Sequence, residues 1–361
     1  MRSAIVLPAT LAAFVLIENL AFNSGPYAKI INPDSSAGFL ELRLWNELQR
    51  PRSKQPEVLA IGDSRMGFFP RYTDQMKPAL HYKFATIATP GTTPRDWYYM
   101  LRDADPRASR YAAIVIPMYD YDDQETWEDM ANREQDLHYL VARLRWSDLL
   151  EFAGSYHDPA LKFRAALGIL LRGTIYQSDF QDLLAHREQR LKYADLARRG
   201  SRGWFYDYEG TRNNVAGIRI DWKAQTIGIP PGMPASLAAD FRGPLFNPRP
   251  PSWGRQSAYL KKWLGKIVDH YRGSATRIIF FRLPRGPYVR PDPPPFNPHS
   301  SVREFSRFPG VILDQEHDFD FLERPEVFMD IAHLNGPGCA EFSRALAVRV
   351  QELLDRGQPA R

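Results

Sequence analysis

A serine early in the chain and two aspartate–histidine pairs near its far end are the residues whose types and spacing could do chemistry together. The run Val58-Leu-Ala-Ile61 leads into Gly62-Asp63-Ser64-Arg65. A serine at the carboxyl end of a buried strand lies at the rim of a sheet, where α/β proteins bind ligands. A helical turn after it would aim backbone N–H groups at a developing oxyanion. The same Gly-Asp-Ser triplet could equally serve as a helix cap. A serine nucleophile needs a base, and the chain has only eight histidines. Two of them sit in Asp-x-x-His pairs, Asp314/His317 and Asp330/His333. In such a pair the carboxylate orients the imidazole, which takes the serine proton. Asp314/His317 falls in an acidic run and reads as a solvated loop. Asp330/His333 immediately precedes a long helical pattern that fixes its place against the sheet, and it is the pair expected to serve Ser64.

The elements that must position these residues are legible as short apolar runs. Glu57–Ile61, Tyr82–Ile87, Tyr111–Pro117, Thr276–Phe281 and Val311–Leu313 read as buried strands. Helical patterns cover Thr93–Arg102, Ser257–Tyr271 and Pro337–Leu354, where Cys339, Phe342, Leu346, Val350 and Leu353 recur on one stripe. Strand–helix alternation implies a parallel sheet covered on both faces. Residues 122–255 break the alternation. They carry helical patterns at Gln124–Leu144, Ala160–Leu171 and Phe180–Arg198, followed by a Gly/Pro/aromatic-rich stretch. They read as one insertion between the third and fourth strands of a core domain spanning 56–355. The expected fold is α/β: a three-layer α/β/α parallel sheet of flavodoxin-like layering with a largely helical insertion.

With these motifs in place, the sequence resembles the SGNH/GDSL hydrolase superfamily. Val58-Leu-Ala-Ile-Gly-Asp-Ser-Arg65 matches the first family motif, Gly91 in Thr89-Pro-Gly-Thr-Thr93 fits the second, and Asp330-x-x-His333 matches the last. The resemblance implies Ser64 as nucleophile, His333 as base, Asp330 as its orienting carboxylate, and an oxyanion hole built from the N–H groups of Ser64 and Gly91. The third motif, Gly-x-Asn-Asp after the third strand, is absent. The chain reads Ile116-Pro-Met-Tyr-Asp-Tyr-Asp122 there, and Tyr119 is the residue that could offer a hydroxyl instead. Losing one oxyanion donor costs about 3 kcal/mol, roughly 100-fold or more in rate. Arg65 and Tyr119 are candidate substrate contacts; Arg282, at the same rim after the fourth strand, reads as a surface salt bridge or as a further substrate contact. The segment His333–Ser343 looks most like the membrane-anchored branch associated with O-acylation of envelope polysaccharides. That likeness implies an acylated carbohydrate as substrate and a membrane-bound O-acyltransferase as partner. Esterase and acyltransferase use the same residues, so both readings stay open. A third is a non-catalytic envelope assembly or glycan-binding protein on the same fold.

Composition limits the remaining classes. Hydrophobic residues are 44% and charged residues 25% of 361, which is ordinary globular usage and excludes disorder or a coiled coil. A net charge of +5 over this length gives no argument for nucleic acid. One cysteine, Cys339, excludes an internal disulfide and a multi-cysteine metal site, and its place on the apolar stripe marks it as a core residue. No pattern points to a metal or cofactor. The aromatics Trp204, Phe205, Tyr206 and Tyr208 read as insertion packing or as a sugar-stacking wall. Residues 1–22 form an anchor or signal segment, joined by a connector at 23–55. Residues 4–22 are mostly apolar and span roughly 28 Å as a helix, just enough for a thin hydrocarbon core. Glu18 and Asn19 lie near its outer end. The rivals are a cleaved signal peptide and a buried or interfacial helix. The basic N-terminus would stay inside and place the rest of the chain outside the cytoplasm, on the periplasmic side.

Overall fold

The computed structural model describes residues 2–22, 25–124, 129–200, 215–246, 253–290 and 296–356. The chain folds as two compact units. One combines 1–50 with 129–204, and the other combines 51–128 with 205–361.

The first unit is helical: α1 (Arg2–Phe22), α2 (Gly25–Ala28) and α3 (Ser36–Gln49), and later α5 (Gln135–Leu140), α6 (Leu149–Ala153), α7 (Pro159–Leu170), α8 (Gly173–Ala185) and α9 (Arg187–Arg198). The residues at 23–50 and 129–204 therefore fold together, although sequence distance separates them. Glu41 of α3 and Arg143 after α5 form an ion pair, and Phe22 at the end of α1 packs on Tyr176 and Phe180 of α8. Among the described residues no helix is long and apolar enough to cross a membrane.

The second unit is α/β. Its elements are β1 (Glu57–Ala60), β2 (Lys83–Thr86), α4 (Pro94–Ala104), β3 (Ala113–Met118), β4 (Arg219–Asp221), β5 (Thr226–Gly228), α10 (Leu237–Phe246), α11 (Trp253–Tyr271), β6 (Arg277–Arg282), α12 (Ser301–Phe305), β7 (Val311–Leu313) and α13 (Gly336–Arg356). Five strands form one parallel sheet in the order β2-β1-β3-β6-β7. Counting sheet strands alone, that is the 2-1-3-4-5 order of flavodoxin-type sheets, whose direction of winding reverses between β1 and β3. The sheet has helices on its faces, so the unit is a three-layer α/β/α fold. The strands are runs of Val, Ile, Leu, Ala and Phe because both faces are covered.

Alternation along the strands divides these residues between the two helical layers. Val58, Ala60, Val115, Ile279 and Phe281 share one core with Cys339, Phe342, Leu346 and Val350 of α13. On the other side α11 packs on β6 and on α4, and Thr93, the cap of α4, shares a 2.7 Å hydrogen bond with Tyr259 of α11. The stretch 215–246 has only the short antiparallel pair β4–β5 and the helix α10. Tyr288 anchors it by donating its hydroxyl to the carbonyls of Val215 and Ile218. The expected insertion is thus shared between the two units. The aromatics Trp204, Phe205, Tyr206 and Tyr208 lie outside the described residues.

Candidate active site

β1 ends at Ala60, and Gly62 turns the chain at φ +148°, a conformation that favours glycine. A Cβ on Gly62 would also meet Pro117 Cγ at 2.7 Å. The glycine therefore lets the turn after β1 pass close to β3. Asp63 then caps a single 3-10 turn, Ser64–Met66, by accepting the N–H of Arg65. The same carboxylate takes the Arg65 guanidinium through Nη2 at 2.6 Å and Nε at 3.1 Å. Burial pushes the Asp63 carboxyl up, but the charge and hydrogen bonds of Arg65, helped by His333, leave it below the ordinary carboxylate range. The cap and the clamp hold the turn that carries Ser64.

Across the rim, a short hairpin-like loop presents the other two residues. Phe328 and Leu334 form an antiparallel bridge, Met329 N–H donates to His333 O, and Asn335 N–H donates to Val327 O. Asn335 also accepts the N–H of Gly338 through its side chain, which caps the start of α13. Gly338 fits there because a Cβ would strike Val327 O at 2.3 Å. Inside this loop Asp330 accepts the N–H groups of Ala332 and His333 at 2.8 and 2.7 Å, and His333 Nδ1 lies 2.8 Å from Asp330 Oδ2. His333 Nε2 lies 2.8 Å from Ser64 Oγ. Burial raises the Asp330 carboxyl, yet its hydrogen bonds and the nearby imidazole outweigh this and hold it below its ordinary range. An ionised Asp330 fixes the proton of His333 on Nδ1 and leaves the Nε2 lone pair facing Ser64.

Ser64, His333 and Asp330 thus lie in hydrogen-bonded sequence, joined across 269 positions of chain. Gly91 lies on the loop after β2, at φ +71°. Thr89 N–H and Thr92 Oγ1 both donate to Gly62 O, which pins this loop beside the serine turn. Tyr119 follows β3, which lies between β1 and β6 in the sheet, and the Arg65 guanidinium sits 5.7 Å from the centre of its ring.

Arg282 is placed otherwise. Of its two expected roles, a surface salt bridge and a substrate contact, the structure shows ion pairing inside the fold: the side chain is 3% exposed and donates to the carbonyl of Glu316 and to the carboxylates of Glu323 and Asp320. A guanidinium that leaves the sheet inside the fold must have carboxylate partners. Its position at the end of β6 was legible from the sequence, while its partners 34–41 residues downstream were not. Arg285, which sequence reasoning passed over, donates to Glu323 at 2.6 and 2.8 Å and interacts electrostatically with Tyr119. Gly286 follows at φ +150°, and a Cβ there would meet Ile331 O at 2.8 Å. Gly286 therefore lets the loop after β6 pack against the Asp330–His333 loop, and the Arg-Gly dipeptide was its only signal. His317 pairs with Asp320 rather than with Asp314, and its side chain is 75% exposed. Cys339 is fully buried and burial pushes its thiol up, in keeping with a core residue. Among the described residues no cluster of His, Cys, Asp or Glu could hold a metal ion. No protein-family model and no curated protein matches the sequence.

Proposed function

We propose that the chain is a serine esterase or O-acyltransferase of SGNH type, acting through an acyl-enzyme on ester groups of cell-envelope glycans. The observation that carries this reading is the unbroken path Ser64 Oγ – His333 Nε2, His333 Nδ1 – Asp330 Oδ2, with 2.8 Å at each step. Ser64 Oγ attacks the ester carbonyl while His333 Nε2 takes its proton. The tetrahedral oxyanion is received by the N–H groups of Ser64 and Gly91. Collapse breaks the bond to the alcohol, which leaves with the proton held by His333. A second hydroxyl, from water or from a sugar, then gives its proton to His333 and attacks the acyl carbon, and Ser64 is released. Asp330 stays ionised and stabilises the imidazolium at both stages. In this reading Arg65 and Tyr119 flank the acyl group, and the Tyr119 hydroxyl is the donor that would stand in for the missing asparagine.

The envelope substrate rests on the resemblance of the motifs and on the apolar N-terminal helix, which we read as holding the protein at a membrane outside the cytoplasm. A membrane-bound O-acyltransferase is the expected partner. The test is turnover of a simple acetyl ester by the purified chain, with and without added oligosaccharide. Acetate release that falls as acetylated sugar appears identifies transfer. Acetate release unaffected by sugar identifies an esterase. Absence of turnover and of an acyl-enzyme would favour a non-catalytic glycan-binding or assembly protein.

A further inference from the structure

The end of α1 is built into the helical unit, and this limits how much of it can enter a membrane. Glu18 is buried and accepts the N–H of Gly173 at the start of α8. Asn19 donates to the carbonyl of Leu170 at the end of α7 and accepts the indole N–H of Trp146. Phe22 packs on Tyr176 and Phe180. With 18–22 held in this way, only residues 4–17 are left to enter lipid. As a helix they reach roughly 21 Å, against a hydrocarbon core of about 30 Å. Glu18 is buried against α8, with Oε1 on the N–H of Gly173, and Asn19 bonds Leu170 and Trp146, so both side chains face the protein at this end of α1.

The segments that reach Asn19 also carry the exposed apolar side chains of the unit. Trp146 is 55% exposed, and Leu150, one helical turn further, is 87% exposed. On α7, Phe163 is 71% exposed, and Leu167 and Leu170 follow it at helical spacing on the same stripe. α6 and α7 pack side by side. Leu11, Phe14 and Ile17 of α1 are likewise uncovered. Arg145 and Lys162, both exposed, stand next to these positions in the chain. An apolar surface carrying tryptophan and bordered by cations has the chemistry of a bilayer interface.

We infer that α1 and the exposed faces of Trp146–Leu150 and α7 form one composite lipid-facing surface, and that the helical unit sits down into the headgroup region. Burial to ~5–10 Å, the usual depth of an interfacial helix, makes up the length that residues 4–17 lack. Resting on the proposed reading of α1 as a membrane anchor, the partner is a bilayer, because Asn19 joins α1 to the segments that carry the patch. This role of the helical unit is independent of the chemistry at Ser64.

The test uses the full chain in nanodiscs of phosphatidylethanolamine and phosphatidylglycerol. Leu150→Cys and Phe163→Cys are labelled with an environment-sensitive dye, with Lys223→Cys, an exposed polar position of the other unit, as reference. Buried Cys339 stays unlabelled. Brominated lipid is expected to quench the dyes at 150 and 163 at least about twofold more than the dye at 223, as interfacial burial requires. Equal quenching at all three positions would overturn the inference. So would protection of 150 and 163 in lipid-free detergent that grows with protein concentration, since a second copy of the chain would then be covering the patch.

Discussion

Two regions of the α/β unit carry the same Asp-x-x-His spacing and have been put to different uses. In the loop before α13, Asp330 turns back on His333, whose side chain is 17% exposed and faces Ser64. In the loop after β7, Asp314 turns away from His317 and accepts Arg349 Nε of α13 at 2.7 Å. His317 stands in solvent beside Asp320 and the buried guanidinium of Arg282. The backbone decides the difference. Asp330 receives the N–H groups two and three residues on, which curls the loop and brings its carboxylate under the imidazole. Asp314 follows directly on β7, with its N–H still donating to Phe280 O of the neighbouring strand, so its side chain is committed to the packing of α13. Spacing in sequence marks a candidate pair, and the turn beneath it decides whether carboxylate and imidazole meet.

The comparison breaks most readily at the imidazoles. His333→Ala and Ser64→Ala should each lower ester turnover by about 10³-fold or more, while His317→Ala should stay within about twofold of the parent. An equal loss from His317→Ala would make the solvent-exposed pair the active one. Asp330→Asn should lower kcat by on the order of 10²- to 10⁴-fold with little change in KM, because the amide no longer fixes the imidazole tautomer. Asp314→Asn should leave kcat unchanged.

Arg282 sharpens the contrast from the side of stability. Arg282→Leu leaves Glu323 and Asp320 short of a buried cation and should cost roughly 3 kcal/mol in denaturant unfolding. The protein that remains folded should turn over at the parent rate. A selective rise in KM without loss of stability would instead restore Arg282 as a substrate contact.

The smallest effect is in pH dependence, where the two aspartates have opposite signs. Asp330 is held below its ordinary range, so the stability it contributes is present above the unfolded carboxylate value of ~3.9 and is lost as pH falls through its folded value. Asp314 is raised by burial in spite of Arg349. Its ionisation costs stability as pH rises from ~3.9 through the folded value. Thermal unfolding from pH 3 to 7 should show the parent's advantage over Asp330→Asn shrinking toward acid. Relative to Asp314→Asn, the parent should instead gain toward acid. The same sign for both variants would contradict the two environments.

Much of this was legible in the sequence. The five sheet strands appeared as apolar runs because a parallel sheet covered on both faces leaves no polar alternation. Each was found within about two residues, as strand ends allow. The choice of Asp330/His333 followed from its place before α13. Other features depended on partners distant in the chain. Nothing local ties α1 and α3 to residues 129–204, since the link is made by pairs such as Glu41–Arg143 and Glu18–Gly173. Arg282 read as a rim cation because its carboxylates lie on a later loop. The short β4–β5 pair is half exposed and three residues per strand, too brief for periodicity to register.

The most direct measurement is the mass and site of the adduct formed with a fluorophosphonate, a reagent that reacts with a serine activated by a neighbouring base. Applied to the full chain in detergent, it should give a single adduct that maps to Ser64, vanishes in Ser64→Ala, falls sharply in His333→Ala and persists in His317→Ala. An adduct on another residue, or undiminished labelling in His333→Ala, would contradict the Ser64–His333–Asp330 relay.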